Sequence, residues 1–183
     1  KLMAEVIKVN GKNAAVQVFE STRGLKNGDT VEFEDRMLEA TLGPGLLSSS
    51  YDGLQNDLTT MTGVFLQKGE YTNPLNHEKI WDFTPIAKPG DKVVAADWLG
   101  EVKEGWLPHK IMVPFSFKGE YTVKSVAEAG QYNIDKVIAV LTDANGEDVD
   151  VTMWQKWPVK VAIKGYKDKP RPTKIMETGV RAI

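Results

Sequence analysis

The side chains able to do chemistry are few in this chain, and their spacing gives them little to do. Its imidazoles are His77 and His109, and cysteine is absent, which removes disulfides, thiolate metal sites and cysteine nucleophiles. Zinc could in principle use both histidines and a carboxylate, yet no His-Glu-x-x-His pair sets two imidazoles on one helical face. Carboxylate pairs occur as Asp148 with Asp150 and as Glu32 with Glu34. Strand spacing puts both members of each pair on one solvated face, where general acid/base work has no pocket to shift a proton affinity. Ser48-Ser49-Ser50 lacks the Gly-x-Ser-x-Gly turn that would expose a nucleophile, and reads as a loop or the start of a helix. A phosphate cradle needs Gly-x-x-x-x-Gly-Lys-Ser/Thr leading into a helix, whose amino end and backbone N–H groups hold the anion. The nearest fragment, Gly11-Lys12-Asn13, has neither the first glycine nor the hydroxyl, and fits a hairpin tip. The sequence therefore assigns no catalytic, cofactor-binding or metal-ligating residue.

Composition narrows the classes further. The 183 residues suffice for one sizeable core or two small ones. Hydrophobic residues make up 42% and charged residues 26%, as in ordinary globular proteins. A net charge of -2, from 23 basic and 25 acidic residues, gives no electrostatic reason to bind nucleic acid or an anionic membrane. No apolar run approaches the roughly 18 residues needed to span a bilayer. The first residues, Lys1-Leu2-Met3-Ala4-Glu5, read as the start of a strand, and Gly179-Val180-Arg181-Ala182-Ile183 stops in mid-pattern. Both ends read as boundaries within a longer polypeptide.

Turn signals recur about every ten residues and bound segments that favour strands. Asn10-Gly11 separates 4–9 from 14–19, and Asn-Gly between β-branched residues predicts a hairpin with positive φ at both central positions. Val16 and Val18 then share one face and Gln17 takes the other. Asn27-Gly28 turns the chain into an extended piece at 31–33. In Leu42-Gly43-Pro44-Gly45-Leu46-Leu47, glycines flanking a proline suit a tight turn packed close to other backbone. From Leu47, the residues Tyr51, Leu54, Leu58 and Met61 follow at helical spacing, predicting one short helix docked on a sheet, with Gly53 as its weak point.

Beyond Gly63 the pattern is strand-rich. Residues 71–83 read as loop with short extended pieces ending at Thr84-Pro85. Lys88-Pro89-Gly90-Asp91 forms a turn, after which strands are predicted at 92–96, 98–102, 109–113, 119–126, 136–141 and 148–153. The last two flank a second Asn-Gly, Asn145-Gly146. Trp157-Pro158-Val159-Lys160 supplies a final strand, and the basic stretch 164–171, broken by Asp168 and Pro170, reads as a linker. Most of the five tryptophans fall in this second unit as packing residues, with one or two suited to an interface. The expected fold is mainly β, a small β-barrel or sandwich with one or two short helices.

Two resemblances attach to these residues. Lys88-Pro89-Gly90-Asp91-Lys92-Val93 followed by Trp98-Leu99-Gly100-Glu101-Val102 is similar to the opening hairpin of biotinyl and lipoyl carrier domains. A carrier would present its modified lysine on an exposed hairpin, in biotinyl domains as Ala-Met-Lys-Met, whereas Lys110-Ile111-Met112 has the residues in the wrong order and sits inside a predicted strand. The likeness thus points to architecture, with a stand-alone carrier or binding β-module as the alternative function.

The second resemblance runs nearly end to end. Glu5-Val6-Ile7, then Val16-Gln17-Val18-Phe19-Glu20-Ser21-Thr22-Arg23-Gly24-Leu25 and Gly28-Asp29, resemble the end of the amino-terminal barrel of the catalytic A (alpha) subunit of V-type and archaeal-type rotary ATPases. Leu42-Gly43-Pro44-Gly45-Leu46-Leu47 with Tyr51-Asp52-Gly53-Leu54-Gln55 is similar to the next segment of that family. Thr62-Gly63, Lys79 to Trp81, Thr84-Pro85, 88–91, His109-Lys110-Ile111, Gly130 to Tyr132 and Trp157-Pro158-Val159 continue in order through its bulge, or non-homologous, region. Pro172 and Thr178-Gly179-Val180-Arg181 resemble the lead-in to the nucleotide-binding domain.

The resemblance implies four parts: residues 1–40 as the end of the barrel, 41–63 as a connecting turn and short helix, 64–163 as the bulge, and 164–183 as the lead-in. It implies a parent that couples ATP hydrolysis or synthesis to transport of protons or sodium ions, with ATP and Mg held outside this stretch. The stretch itself is expected to be inactive, lacking the phosphate-binding loop. Expected partners are the non-catalytic B subunits and the peripheral stalk subunits, with no nucleic acid and no membrane insertion. The expected location is cytoplasmic, peripheral to the membrane, and severed barrel strands could self-associate through their edges.

Overall fold

The structure is a computed structural model that describes residues 1–61, 69–164, 168, 170–175, 177 and 179. Thr62-Gly63, much of the basic linker and most of the Thr178 lead-in lie outside the described residues. Twelve strands and no helix occur among the described residues.

β1 (Ala4–Asn10) and β2 (Asn13–Val18) form an antiparallel two-stranded ribbon. Its tip pairs Asn10 with Asn13, so Gly11 and Lys12 are the central residues. Gly11 takes φ +56° and Lys12 is not in the left-handed region. That is the pattern of a type II′ turn, and it corrects the expected placement of Asn10 as a central residue. A bulge at Ile7 shifts the register between Val6 and Lys8. Residues 19–38 run through turns, and the extended piece expected at 31–33 makes no strand.

β3 (Glu39–Leu42) is followed by a long excursion that returns at β12 (Gln155–Pro158). The two pair antiparallel, Leu42 with Gln155 and Glu39 with Pro158. The strands of residues 80–151 all lie between them. One sheet has the order β7 (Leu107–Met112), β6 (Trp98–Glu104), β4 (Ile80–Pro85), β9 (Gly130–Asn133). The other has β11 (Asp148–Val151), β10 (Ala139–Thr142), β8 (Tyr121–Val126), β5 (Lys92–Val93). Every pairing is antiparallel.

The core is contributed by both four-stranded sheets and their connections. Phe83, Leu99, Val102, Val113, Val123, Ile134, Ile138, Leu141 and Val151 are essentially inaccessible to water. Alternation delivers them: on β4, Trp81 and Phe83 point inward while Ile80, Asp82 and Thr84 point out. Gly100 lies where a Cβ would sit 2.3 Å from the Phe83 ring and 2.8 Å from the Thr84 carbonyl, so close approach requires glycine. The Asn145-Gly146 hairpin forms a three-residue loop with Gly146 at φ +85°. Asp143 closes it, its Oδ1 accepting from the Asn145 and Glu147 N–H groups.

The short helix expected from Leu47 to Met61 does not form. Asp52 competes for the backbone, its Oδ1 accepting from the N–H groups of Leu54 (2.9 Å) and Asn56 (2.8 Å). Gln55 takes φ +64°, and its amide clamps Thr41 by bonds of 2.7 Å to both N–H and carbonyl. Tyr51 and Asp57 form an isolated antiparallel bridge. Helical spacing thus coexists with a looped segment whose Leu47 and Leu58 stay exposed.

Candidate functional site

Three polar clusters fix how the parts of the chain meet. The first seats the Leu42-Gly43-Pro44-Gly45-Leu46-Leu47 loop. A Cβ on Gly43 would lie 2.8 Å from Trp154 Cβ and 3.0 Å from Leu75, and Gly45 takes φ +112° beside the Trp81 ring. These glycines let backbone approach the sandwich. A carboxylate then holds it there. Glu104, only 6% exposed at the end of β6, accepts from Gly45 N–H (2.6 Å) and Leu47 N–H (3.0 Å) through Oε1. Its Oε2 lies 2.7 Å from His109 Nδ1 on β7. Burying a carboxylate is tolerable because three donors surround it, each such charge-assisted bond contributing about 1.5–3 kcal/mol.

The second cluster joins His77 and Asp135, Nδ1 to Oδ2 at 2.8 Å, with Trp154 Nε1–H donating to Asp135 Oδ1 at 2.8 Å. The His77 and Trp154 rings meet edge to face. The His77 hydrogen bond holds the Asp135 carboxyl below the usual carboxylate range, with the Trp154 N–H acting in the same direction against partial burial. The third cluster ties the ribbon down. Glu20 accepts from Gly69 N–H (2.7 Å) and the Tyr71 hydroxyl (2.6 Å), while Tyr71 Oη accepts from Met3 N–H (2.8 Å). Burial, followed by the Glu20 carboxylate, pushes the Tyr71 hydroxyl up from its ordinary value. Lys160, just past β12, pairs with Glu5 of β1 at 2.8 Å.

Most groups that could have carried chemistry have a structural partner. His77 and His109 belong to separate clusters, and no set of three His, Cys, Asp or Glu able to hold a metal occurs among the described residues. Asp148 pairs with Lys124 and accepts from Thr142, which together hold its carboxyl below the usual range. Glu34 pairs with Arg36 and Lys1, and Arg36 is the larger cause of its lowered proton affinity. Ser49 Oγ donates to the Gly45 carbonyl. Lys110 lies inside β7, paired with Glu101, while the β6–β7 tip carries Gly105 and an 87% exposed Trp106. Gly11-Lys12-Asn13 is a hairpin tip.

Glu104 is the residue that sequence reading misses. The signal exists: with Gly100 and Val102 it occupies the alternating inward face of β6, where a carboxylate is out of place unless donors surround it.

Comparison with known proteins places these parts. Residues 1–35 match the β-barrel domain of the ATP synthase alpha/beta family, and residues 72–160 match the ATP synthase alpha/beta subunit barrel-sandwich domain. The V-type ATP synthase alpha chain of Treponema denticola is 46% identical over 186 residues, covering 100% of this chain and 32% of the relative. Those of Borreliella burgdorferi and Chlamydia abortus are 45% and 47% identical, again over 100% of this chain and 32% and 31% of theirs. The chain spans about a third of the length of the curated relatives it matches. With its first 35 residues matching the barrel, residues 72–160 matching the barrel-sandwich and the relatives aligned over its whole length, the chain belongs to the V-type ATP synthase alpha chains and corresponds to their β-barrel and barrel-sandwich region.

Proposed function

We propose that this stretch is the non-catalytic assembly region of its subunit, with residues 1–40 closing the barrel, 41–63 connecting, 64–163 forming an outward bulge and 164–183 leading to a nucleotide-binding domain. The parent couples ATP hydrolysis or synthesis to transport of protons or sodium ions, from the cytoplasmic side and peripheral to the membrane. ATP and magnesium belong to the part of the relatives' length that this chain does not span. The bulge contacts peripheral stalk subunits, and the barrel contacts neighbouring B subunits. The ribbon, whose Ile7 and Val9 are each 65% exposed, gives the isolated chain a surface for self-association.

The observation that carries this reading is the β3–β12 pair. The chain leaves and returns at one place, with Leu42 opposite Gln155, so the host sees a hairpin where residues 43–154, the connecting segment and most of the bulge, are attached. An element joined in this way can project outward without interrupting the parts on either side. The test is a full-length subunit in which Leu42 is joined to Gln155 through an Asn-Gly turn. The assembled head should keep ATP hydrolysis and lose its peripheral stalks on native mass spectrometry. Stalks retained at full occupancy would overturn the reading.

A further inference from the structure

An open groove of about 440 Å³ runs between the β4–β5 and β5–β6 connections. Its apolar lining includes Ile86, Val93, Ala96 and Trp98, and Trp98 keeps 53% of its surface in water. Ala96 takes φ +73°, a left-handed conformation that strains a residue bearing a Cβ. The turn around it is closed by Asp97, whose N–H donates to the Val94 carbonyl (3.0 Å) and whose Oδ2 accepts from Val94 N–H (2.8 Å).

Asp91 repeats that arrangement one turn earlier, its N–H donating to the Lys88 carbonyl (3.1 Å) and its Oδ2 accepting from Lys88 N–H (2.8 Å). Both carboxylates line the groove, and neither has a salt bridge among the described residues. The cations beside them already have partners: Lys92, also in the lining, pairs with Glu120 at 2.7 Å, and Lys110 pairs with Glu101 while its ammonium lies over one face of the Trp98 ring, 4.8 Å from the centroid. The groove therefore joins a half-exposed indole to two carboxylates that form no ion pair among the described residues.

From this we infer that the groove receives a segment of a partner protein bearing an arginine flanked by aliphatic residues. A guanidinium suits it because the flat ion forks onto a carboxylate and stacks on an indole, and aliphatic neighbours cover Ile86 and the rest of Trp98. A partially exposed tryptophan in a recess is also the residue type that carries most energy at protein interfaces. The inference rests on the reading of the bulge as a contact domain, and names where and with what chemistry it makes contact.

The probe is the peptide acetyl-Leu-Arg-Leu-Arg-Leu-amide, with its Glu-for-Arg counterpart as control, titrated into the 183-residue chain. The readout is the Trp98 indole ¹H–¹⁵N resonance, assigned with Trp98→Phe. The arginine peptide should move it saturably and the glutamate peptide should not. D91N/D97N keeps the turn-closing acceptors and the folded spectrum, and should weaken binding by about tenfold or more. An unmoved Trp98 resonance, equal response to both peptides, or full-strength binding by D91N/D97N would each overturn the inference. The two readings separate in the full-length complex. Loss of stalks on excising the bulge with stalks kept in D91N/D97N sinks the groove alone, whereas stalks kept in both sink the contact reading.

Discussion

The amino-terminal ribbon and the sandwich are built from the same device, a tight hairpin of alternating apolar residues, and end in opposite states. In the ribbon, Ile7, Val9 and Val16 face water. In the sandwich, Val123, Leu141 and Val151 on paired strands are buried because a second sheet stands opposite. The difference shows that pairing alone does not stabilise a hairpin here. A facing sheet does, through about 25 cal/mol for each Å² of apolar surface removed from water. The ribbon is held instead by polar straps, from Glu20 through Tyr71 to Met3 and from Lys160 to Glu5.

That contrast can be broken most severely in the core. Phe83→Ala should cost about 3–5 kcal/mol in urea denaturation, while Ile7→Ala in the ribbon should leave the same transition within about 0.5 kcal/mol. Gly100→Ala drives a methyl into the Phe83 ring and should cost about 1–3 kcal/mol. Glu104→Ala leaves the Gly45 and Leu47 N–H groups unpaired beside the sandwich. About 1–3 kcal/mol should be lost, and hydrogen exchange at those two amides should accelerate while the ribbon is unaffected.

A smaller effect comes from pH. Asp135 is held below its ordinary value in the folded state, so its pairing contributes stability above the unfolded carboxylate range that is lost as pH falls through the lowered folded value. Acid titration of sandwich stability should be shallower in Asp135→Asn below about pH 4. The difference should be modest, because nearly half of the Asp135 side chain is in water. The smallest effect on stability belongs to Ile7→Lys, which should leave unfolding unchanged and reduce self-association in sedimentation velocity.

Local punctuation carried much of the fold in advance. Asn10-Gly11, Lys88-Pro89-Gly90-Asp91 and Asn145-Gly146 mark turns because so few backbones satisfy those residues, and strands at 98–102, 109–113 and 148–153 lie where alternation put them, within a residue or two at their ends. The helix from Leu47 fails for a reason that periodicity does not contain. Asp52 and Gln55 bond backbone groups in competition with the helical ladder, and Gln55 reaches one fixed by β3. Glu104 and the Trp98 groove were illegible for a related reason. Glu104 depends on which distant segment arrives beside it, the Gly-Pro-Gly loop, and the groove, though local to 86–98, depends on how the successive turns at Asp91 and Asp97 close. Family resemblance supplied the order of the parts. It gave no side-chain partners.

The β3–β12 pair also sets a clock. During synthesis β3 emerges about 110 residues before its partner, and at about 5–20 residues per second it waits roughly 5–20 s with both edges unpaired. The strands between them pair much more locally, so β4 to β11 can assemble while β3 is still waiting. The β3–β12 pair then closes after the sandwich, and its timing decides how long the nascent chain exposes a free strand edge to chaperones and to neighbouring ribosomes.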